Sequence, residues 1–364
     1  MGTTNLAIPV AKKAALALFG HYRSIQSSLH ELTYLFWECT LRCNLSCLHC
    51  GSDCQAHSNV LDMPLRDFLK ILDQIKAVQN PNKITLALTG GEPLLRPDLE
   101  ECGKEFNKRG YPWGMVTNGF AMSDDRYKKL VDSGLRSVTV SIDGLEESHN
   151  WLRCHHDSFR RALAAVKLIA SGPQLASDVV TCVNQKNLLE LGEIKKLLVE
   201  SGVKNWRLFT IFPKGRAKDD RLLDISGNQF KDLMEFIKAT RREDKIKASF
   251  SCEGYLGPYE GDVRDSFFFC RAGINVGSVL ADGSISACPS LRGDYIQGNI
   301  YRDSFVDVWN NRFRIMRKRK WMKSGECGGC AAFKQCGGNG LHLREEKTGK
   351  LLRCHYHMLE KAVP

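Results

Sequence analysis

The chain has 364 residues, 43% hydrophobic and 26% charged, with a formal net charge of +11 and fifteen cysteines. That length can bury a core without help from a metal, and no apolar run approaches the ~18 residues needed to span a bilayer, so a small disulfide scaffold and a transmembrane helix are both excluded. The cysteines are clustered and no convincing signal sequence precedes them, which points to metal ligands in a reducing, cytoplasmic setting rather than to disulfides.

The N-terminal stretch "MGTTNLAIPVAKKAALALFGHYRS" carries its lysines inside an apolar patch. It predicts a short basic amphipathic helix within residues 1–31, with membrane-surface contact as the lesser alternative. From residue 32 onward one unit repeats: a short apolar or β-branched run, a turn, then a helix-period segment. The runs are "LTYLFWE", "KITLALTGG", "PWGMVTNG", "RSVTVSIDG", "SDVVTCVNQ" and "NWRLFTIFPKG". Parallel strands alternating with helices predict an α/β fold, a partial (β/α)6 TIM-like barrel over 32–243. Function in such folds sits at the C-terminal strand ends. Here those ends carry Cys39 to Cys50, "TGGEP", "TNG", "SIDG" and "VNQKN", all polar, glycine-rich or thiol-bearing.

The pattern stops after a helix near Ser226. Residues 244–266 read as a connector, and hairpin signals among cysteines over 267–364 predict a small metal-stapled domain. The basic stretch "RFRIMRKRKWMK", Arg312 to Lys323, supplies much of the charge excess and reads equally as a solvated helix face or as a partner surface.

"CTLRCNLSCLHCGSDC" places five cysteines in sixteen residues after the first strand. Cys43, Cys47 and Cys50 have the spacing C-x3-C-x2-C. Three thiolates on one loop can hold three irons of a [4Fe-4S] cube and leave the fourth iron open. The spacing alone also permits zinc, with Cys39 or Cys54 as fourth ligand.

Taken with "GGEPLLRPDL" after the second strand, "TNG" after the third and "SIDG" after the fourth, this loop resembles that of radical SAM enzymes. The resemblance implies a [4Fe-4S] cluster on Cys43, Cys47 and Cys50 that chelates S-adenosylmethionine through its open iron. It further implies that Gly90, Gly91, Glu92 and Pro93 meet the methionine amino group, that Asn118, Ser141 and Asp143 lie along the cofactor, and that Arg153 reaches its carboxylate. Cys39 is then a buried strand residue and Cys54 a loop thiol.

The C-terminal cysteines resemble the SPASM extension: Cys270, a G-x4-C ending at Cys288, then Cys327, Cys330, Cys336 and Cys354. By that pattern Cys327, Cys330, Cys336 and Cys354 make an auxiliary [4Fe-4S] cluster. Cys270 and Cys288 belong to a second one, whose further cysteine is replaced here by Gly340, with Cys252 a distant spare thiol. One auxiliary cluster is therefore expected, the second being absent or unusually ligated. The resemblance implies generation of a 5'-deoxyadenosyl radical, a low-potential electron donor such as flavodoxin or ferredoxin, and modification of a peptide or protein. Modification of a tetrapyrrole is the alternative. A zinc-stabilised nucleic-acid-binding protein would explain the thiols and the charge but not GGEP or the six units, and no nucleic-acid partner is expected. The 1–31 segment is too short for a separate peptide-binding domain, so a peptide would dock on the barrel, the second domain or another protein. No catalytic acid or base can be read from the loops.

Overall fold

A computed structural model describes residues 8–172, 175–218, 220–251 and 253–362. Seven parallel strands follow one another in space as in sequence: β1 (Tyr34–Thr40), β2 (Thr85–Gly90), β3 (Trp113–Thr117), β4 (Leu135–Ser141), β5 (Ala176–Val183), β6 (Asn205–Thr210) and β7 (Lys247–Phe250). The crossover helices bury one face each. In Leu65–Lys76 this face is Phe68, Ile71, Leu72 and Ile75, at the 3.6-residue spacing the sequence shows. The core is filled by large aromatics: Trp37 stacks on Phe68 with centroids 4.3 Å apart, and Trp37, Trp113 and Trp206 are fully buried.

The strand β7 and the joining of the expected C-terminal hairpin to the barrel sheet were not foreseen. β7 lies inside the expected connector and pairs with β6 in parallel. Its four residues alternate exposed and buried among charged neighbours, so the sequence shows no greasy run. At the other edge, β8 (Val276–Val279) pairs in parallel with β1, and β9 (Ser284–Ser286) and β10 (Gly298–Asn299) continue the same sheet antiparallel. The cysteine-rich segment thus grows from the barrel's own sheet. The result is an open, ten-stranded partial barrel with β10 and β7 at its edges.

The N-terminal helix Val10–Leu29 straps this assembly. Lys12 pairs with Asp262 at 3.0 Å, and Arg23 donates to the carbonyls of Lys334 and Gln335. No helix among the described residues is long and apolar enough to cross a membrane. Part of the basic stretch is structural rather than solvated. Arg317 donates to the carbonyls of Gly273, Trp309 and Asn310, and Arg319 to those of Cys270 and Ala272.

Candidate functional site

The end of β1 releases the cysteine loop, and the first turn after β2 supports it. A Cβ on Gly90 would lie 2.0 Å from the Thr40 carbonyl oxygen, and one on Gly91 2.1 Å from that of Arg42. Any side chain there would displace the loop. The amide of Gly91 donates to Thr40 O (2.8 Å) and that of Glu92 to Arg42 O (2.9 Å). The Glu92 carboxylate, 1% exposed, accepts from the Thr117 hydroxyl, the Asn118 amide and the Leu94 amide. Pro93 opens the short turn that Glu92 caps. GGEP therefore ties the ends of β1, β2 and β3 together, which the motif alone does not reveal. On the far side Arg216 holds the loop through Cys47 O (2.7 Å) and Cys54 O (3.0 Å).

Cys43 and Cys47 are buried and Cys50 half-buried, in an apolar setting made with Leu45, Leu41 and Phe120. Two nitrogen donors face the sulfurs: Asn118 Nδ2 lies 3.9 Å from Cys43 Sγ and Arg153 Nη1 3.7 Å from Cys47 Sγ. Burial pushes the Cys43 thiol up to about 11 and raises that of Cys47, against Arg153, which lowers it. Cys54, expected as a loop thiol, is 4% exposed and hydrogen-bonded to Cys50. That bond holds the Cys50 thiol down at about 5 and drives that of Cys54 far up. Cys39 is wholly buried in β1, as expected.

A tetrahedral zinc with ~2.3 Å bonds would draw its sulfurs to about 3.8 Å of one another. Among the described residues the one convergence of three such donors within 4.8 Å is His49, Asp143 and Cys182, and no set of cysteines closes that far. Buried thiols on one loop, spread wider than a single ion needs and faced by N–H donors, fit a cube rather than zinc. The His49–Asp143–Cys182 group is itself neutralised: Arg153 donates from Nε to Asp143 Oδ2 at 2.6 Å, and burial holds His49 down at about 4.

Asp143 is fully buried beyond β4, receiving the Cys182 amide at 2.7 Å as well as Arg153. Ser141 ends β4 with 9% exposure. The backbone amide of Asp143 donates to His149 Nδ1, so that ring's other nitrogen donates to the Ser158 hydroxyl. Asn118 and Arg153 thus reach the cysteine loop directly and Asp143 through Arg153, while Ser141 lies at the end of β4.

In the C-terminal segment Cys327 is buried, and Cys330, Cys336 and Cys354 are half-buried close to it, with burial raising the Cys336 and Cys354 thiols. The Asn339 amide lies 3.1 Å from Cys336 Sγ and Arg344 Nη2 3.2 Å from Cys327 Sγ. Cys270 is buried and Cys288 half-buried. At position 340 a Cβ would lie 2.6 Å from the Glu253 carbonyl oxygen and 2.7 Å from the His342 ring. The place where the pattern wants a cysteine is closed. Cys252, the spare thiol, lies outside the described residues.

Sequence reasoning missed a buried group beside this point. Glu253 accepts from the Thr210 hydroxyl and lies 3.1 Å from His355 Nε2, joining β6, the connector and the last helix. No local motif marks it. A cavity of about 650 Å3 opens beside the cysteine loop. Its walls are Cys50 to Ser52, Phe212 and Lys214 from the "FPKG" stretch with Lys218 just beyond it, and Arg292, Glu346 and Lys347 from the C-terminal segment.

Fold and site together define an iron–sulfur enzyme built on a partial α/β barrel. Residues 37–198 match the radical SAM superfamily and residues 270–331 the SPASM iron-sulfur cluster-binding domain. The chain belongs to the radical SAM superfamily, as an enzyme with a SPASM extension. It is 26% identical to the AdoMet-dependent heme synthase of Methanosarcina barkeri, covering 85% of this chain and 94% of that one. It is 25% identical to the mycofactocin maturase MftC of Mycobacterium tuberculosis over 84% of this chain and 77% of that one. Its fold is similar to those of Streptococcus suis SuiB bound to S-adenosylmethionine (TM-score 0.69, 17% identity, 86% of this chain and 73% of that one) and anSMEcpe with bound AdoMet (TM-score 0.69, 19% identity, 91% and 95%). Its cofactors are S-adenosylmethionine and [4Fe-4S] clusters. When bound, these supply reductive cleavage of the sulfonium to a 5'-deoxyadenosyl radical.

Proposed function

We propose that Cys43, Cys47 and Cys50 hold the S-adenosylmethionine-cleaving cluster, that Cys327, Cys330, Cys336 and Cys354 hold the auxiliary one, and that the enzyme modifies a peptide or protein. The observation that carries this reading is the pair of N–H donors on the sulfurs of Cys43 and Cys47 at the mouth of the barrel, next to a cavity large enough for a side chain of a larger substrate. Arg153 and Asp143, a buried ion pair, are the fixed charges against which a zwitterionic methionine would orient, with Ser141 and Asn118 alongside. Leu41, Leu45 and Phe120, packed around the thiols, limit water there.

MftC, a maturase, supports the peptide reading. The heme synthases support the alternative, a tetrapyrrole. Lys218 and Lys347 line the cavity and suit carboxylates on either. A low-potential flavodoxin or ferredoxin would supply the electron, and a reducing cytoplasm suits fifteen cysteines. We place the barrel at 32–250, so that it takes in β7, and the C-terminal domain at 267–364, joined through the shared sheet. The deciding experiment is anaerobic assay with dithionite. Release of 5'-deoxyadenosine stimulated by an acidic peptide encoded beside the enzyme supports the main reading, and stimulation by a carboxylate-bearing tetrapyrrole alone replaces it.

A further inference from the structure

The C-terminal segment buries a cation for which the proposed function has no role. Arg344 is 1% exposed. Its guanidinium donates to Gly338 O (3.0 Å), Gly349 O (2.7 Å), Met322 O (3.4 Å) and Cys327 Sγ (3.2 Å). Among the described residues no carboxylate pairs with it, although buried arginines elsewhere in this chain have one, Arg153 with Asp143 and Arg96 with Asp98. A guanidinium cannot shed its proton to escape burial. A buried charge without a counter-charge is costly, so an anion belongs beside it. Among the hydrogen-bond partners of this guanidinium in the described residues, the one that can carry negative charge is the sulfur of Cys327.

We propose that Arg344 is the positioning and charge-balancing residue of the auxiliary cluster, which it hydrogen-bonds through Cys327 Sγ. The inference rests on the assignment of that cluster to Cys327, Cys330, Cys336 and Cys354. Hydrogen bonds to cluster sulfurs and nearby net charge set the reduction potential. A fixed positive charge stabilises the reduced, more negative state, so Arg344 raises the potential and makes this cluster the readier electron acceptor. The three carbonyl bonds fix the guanidinium plane, leaving one N–H directed at sulfur. Lysine could restore the charge but not this geometry.

The test uses the full chain, anaerobically reconstituted, with Cys43, Cys47 and Cys50 all changed to Ala so that the auxiliary cluster alone gives a signal. Four irons and four sulfides are expected; a protein without iron overturns the cluster assignment, and this inference with it. With 15N-labelled arginine, pulsed EPR of the reduced cluster is expected to show a guanidinium nitrogen coupling that Arg344→Lys abolishes. This readout needs no variant that fails to fold. A redox titration should place Arg344→Gln below the parent, with Arg344→Lys between them. A four-iron cluster with no arginine coupling, or with one potential in all three proteins, would overturn the role of Arg344 alone.

Discussion

Arg153 links Asp143 to Cys47: one edge of its guanidinium is bonded to the buried carboxylate, and Nη1 lies 3.7 Å from the sulfur. The charge of one β/α unit is thereby fixed against the thiol loop of another. Losing the cation would leave Asp143 buried and unpaired, which costs about 3–5 kcal/mol. Arg153→Met is expected to lower the urea midpoint of the apo protein accordingly, while Arg153→Met combined with Asp143→Asn recovers much of the loss. A single variant as stable as the parent would contradict the pairing.

Cys47→Ala should abolish 5'-deoxyadenosine formation and Cys54→Ala should leave it nearly intact, because Cys54 contacts Cys50 rather than standing in the triple. Quantifying deoxyadenosine by chromatography after dithionite reduction checks both. Equal loss in the two variants would place Cys54 among the ligands.

The closed space at Gly340 implies two clusters in the whole enzyme. Iron analysis should give about eight irons per chain; about twelve would contradict it. Gly340→Cys should not restore a third cluster. Its side chain meets the Glu253 backbone, so the variant should lose about 1–3 kcal/mol through overpacking, read by chemical denaturation.

Acid should weaken the apo protein through His149. Burial, with Arg153 beside it and against the pull of Asp143, holds this histidine at about 3 rather than its ordinary 6.5. Its neutral form is the folded form. The stability it contributes is therefore full above about 6.5 and is lost as pH falls toward 3, where the unfolded chain binds the extra proton. Denaturation curves across that window should be flatter in His149→Gln than in the parent; an unchanged slope would remove His149 as a cause.

Lys218 and Lys347 project into the cavity beside Cys50. Reversing both to Glu should weaken binding of a carboxylate-rich substrate several-fold, with deoxyadenosine release in the absence of substrate unchanged. Substrate titrations of the two activities separate these outcomes.

The thiol loop and GGEP were legible because each is local: a spacing within twelve residues, and a glycine pair after an apolar strand. What GGEP does was not, since the reason for Gly90 and Gly91 is the backbone of Thr40 and Arg42, half a hundred positions away. β7 was missed because a four-residue strand at a sheet edge carries little periodicity, and the β8–β9 hairpin was legible while its parallel pairing with β1, some 240 positions away, was not. Glu253, His355 and Arg344 share the same obstacle. Their partners come from distant segments, and a lone glutamate in a connector or an arginine in "HLREEK" has no signature until the sheet brings its neighbours together.

As ligands of the cleaving cluster, Cys43, Cys47 and Cys50 would present an open iron to S-adenosylmethionine. The most direct measurement is EPR of the dithionite-reduced, reconstituted enzyme with and without S-adenosylmethionine. The added cofactor is expected to shift one cluster signal in the parent, and the shift to vanish when all three cysteines are changed to Ala while the auxiliary signal stays. A cofactor-induced shift that survives in that triple variant would contradict it.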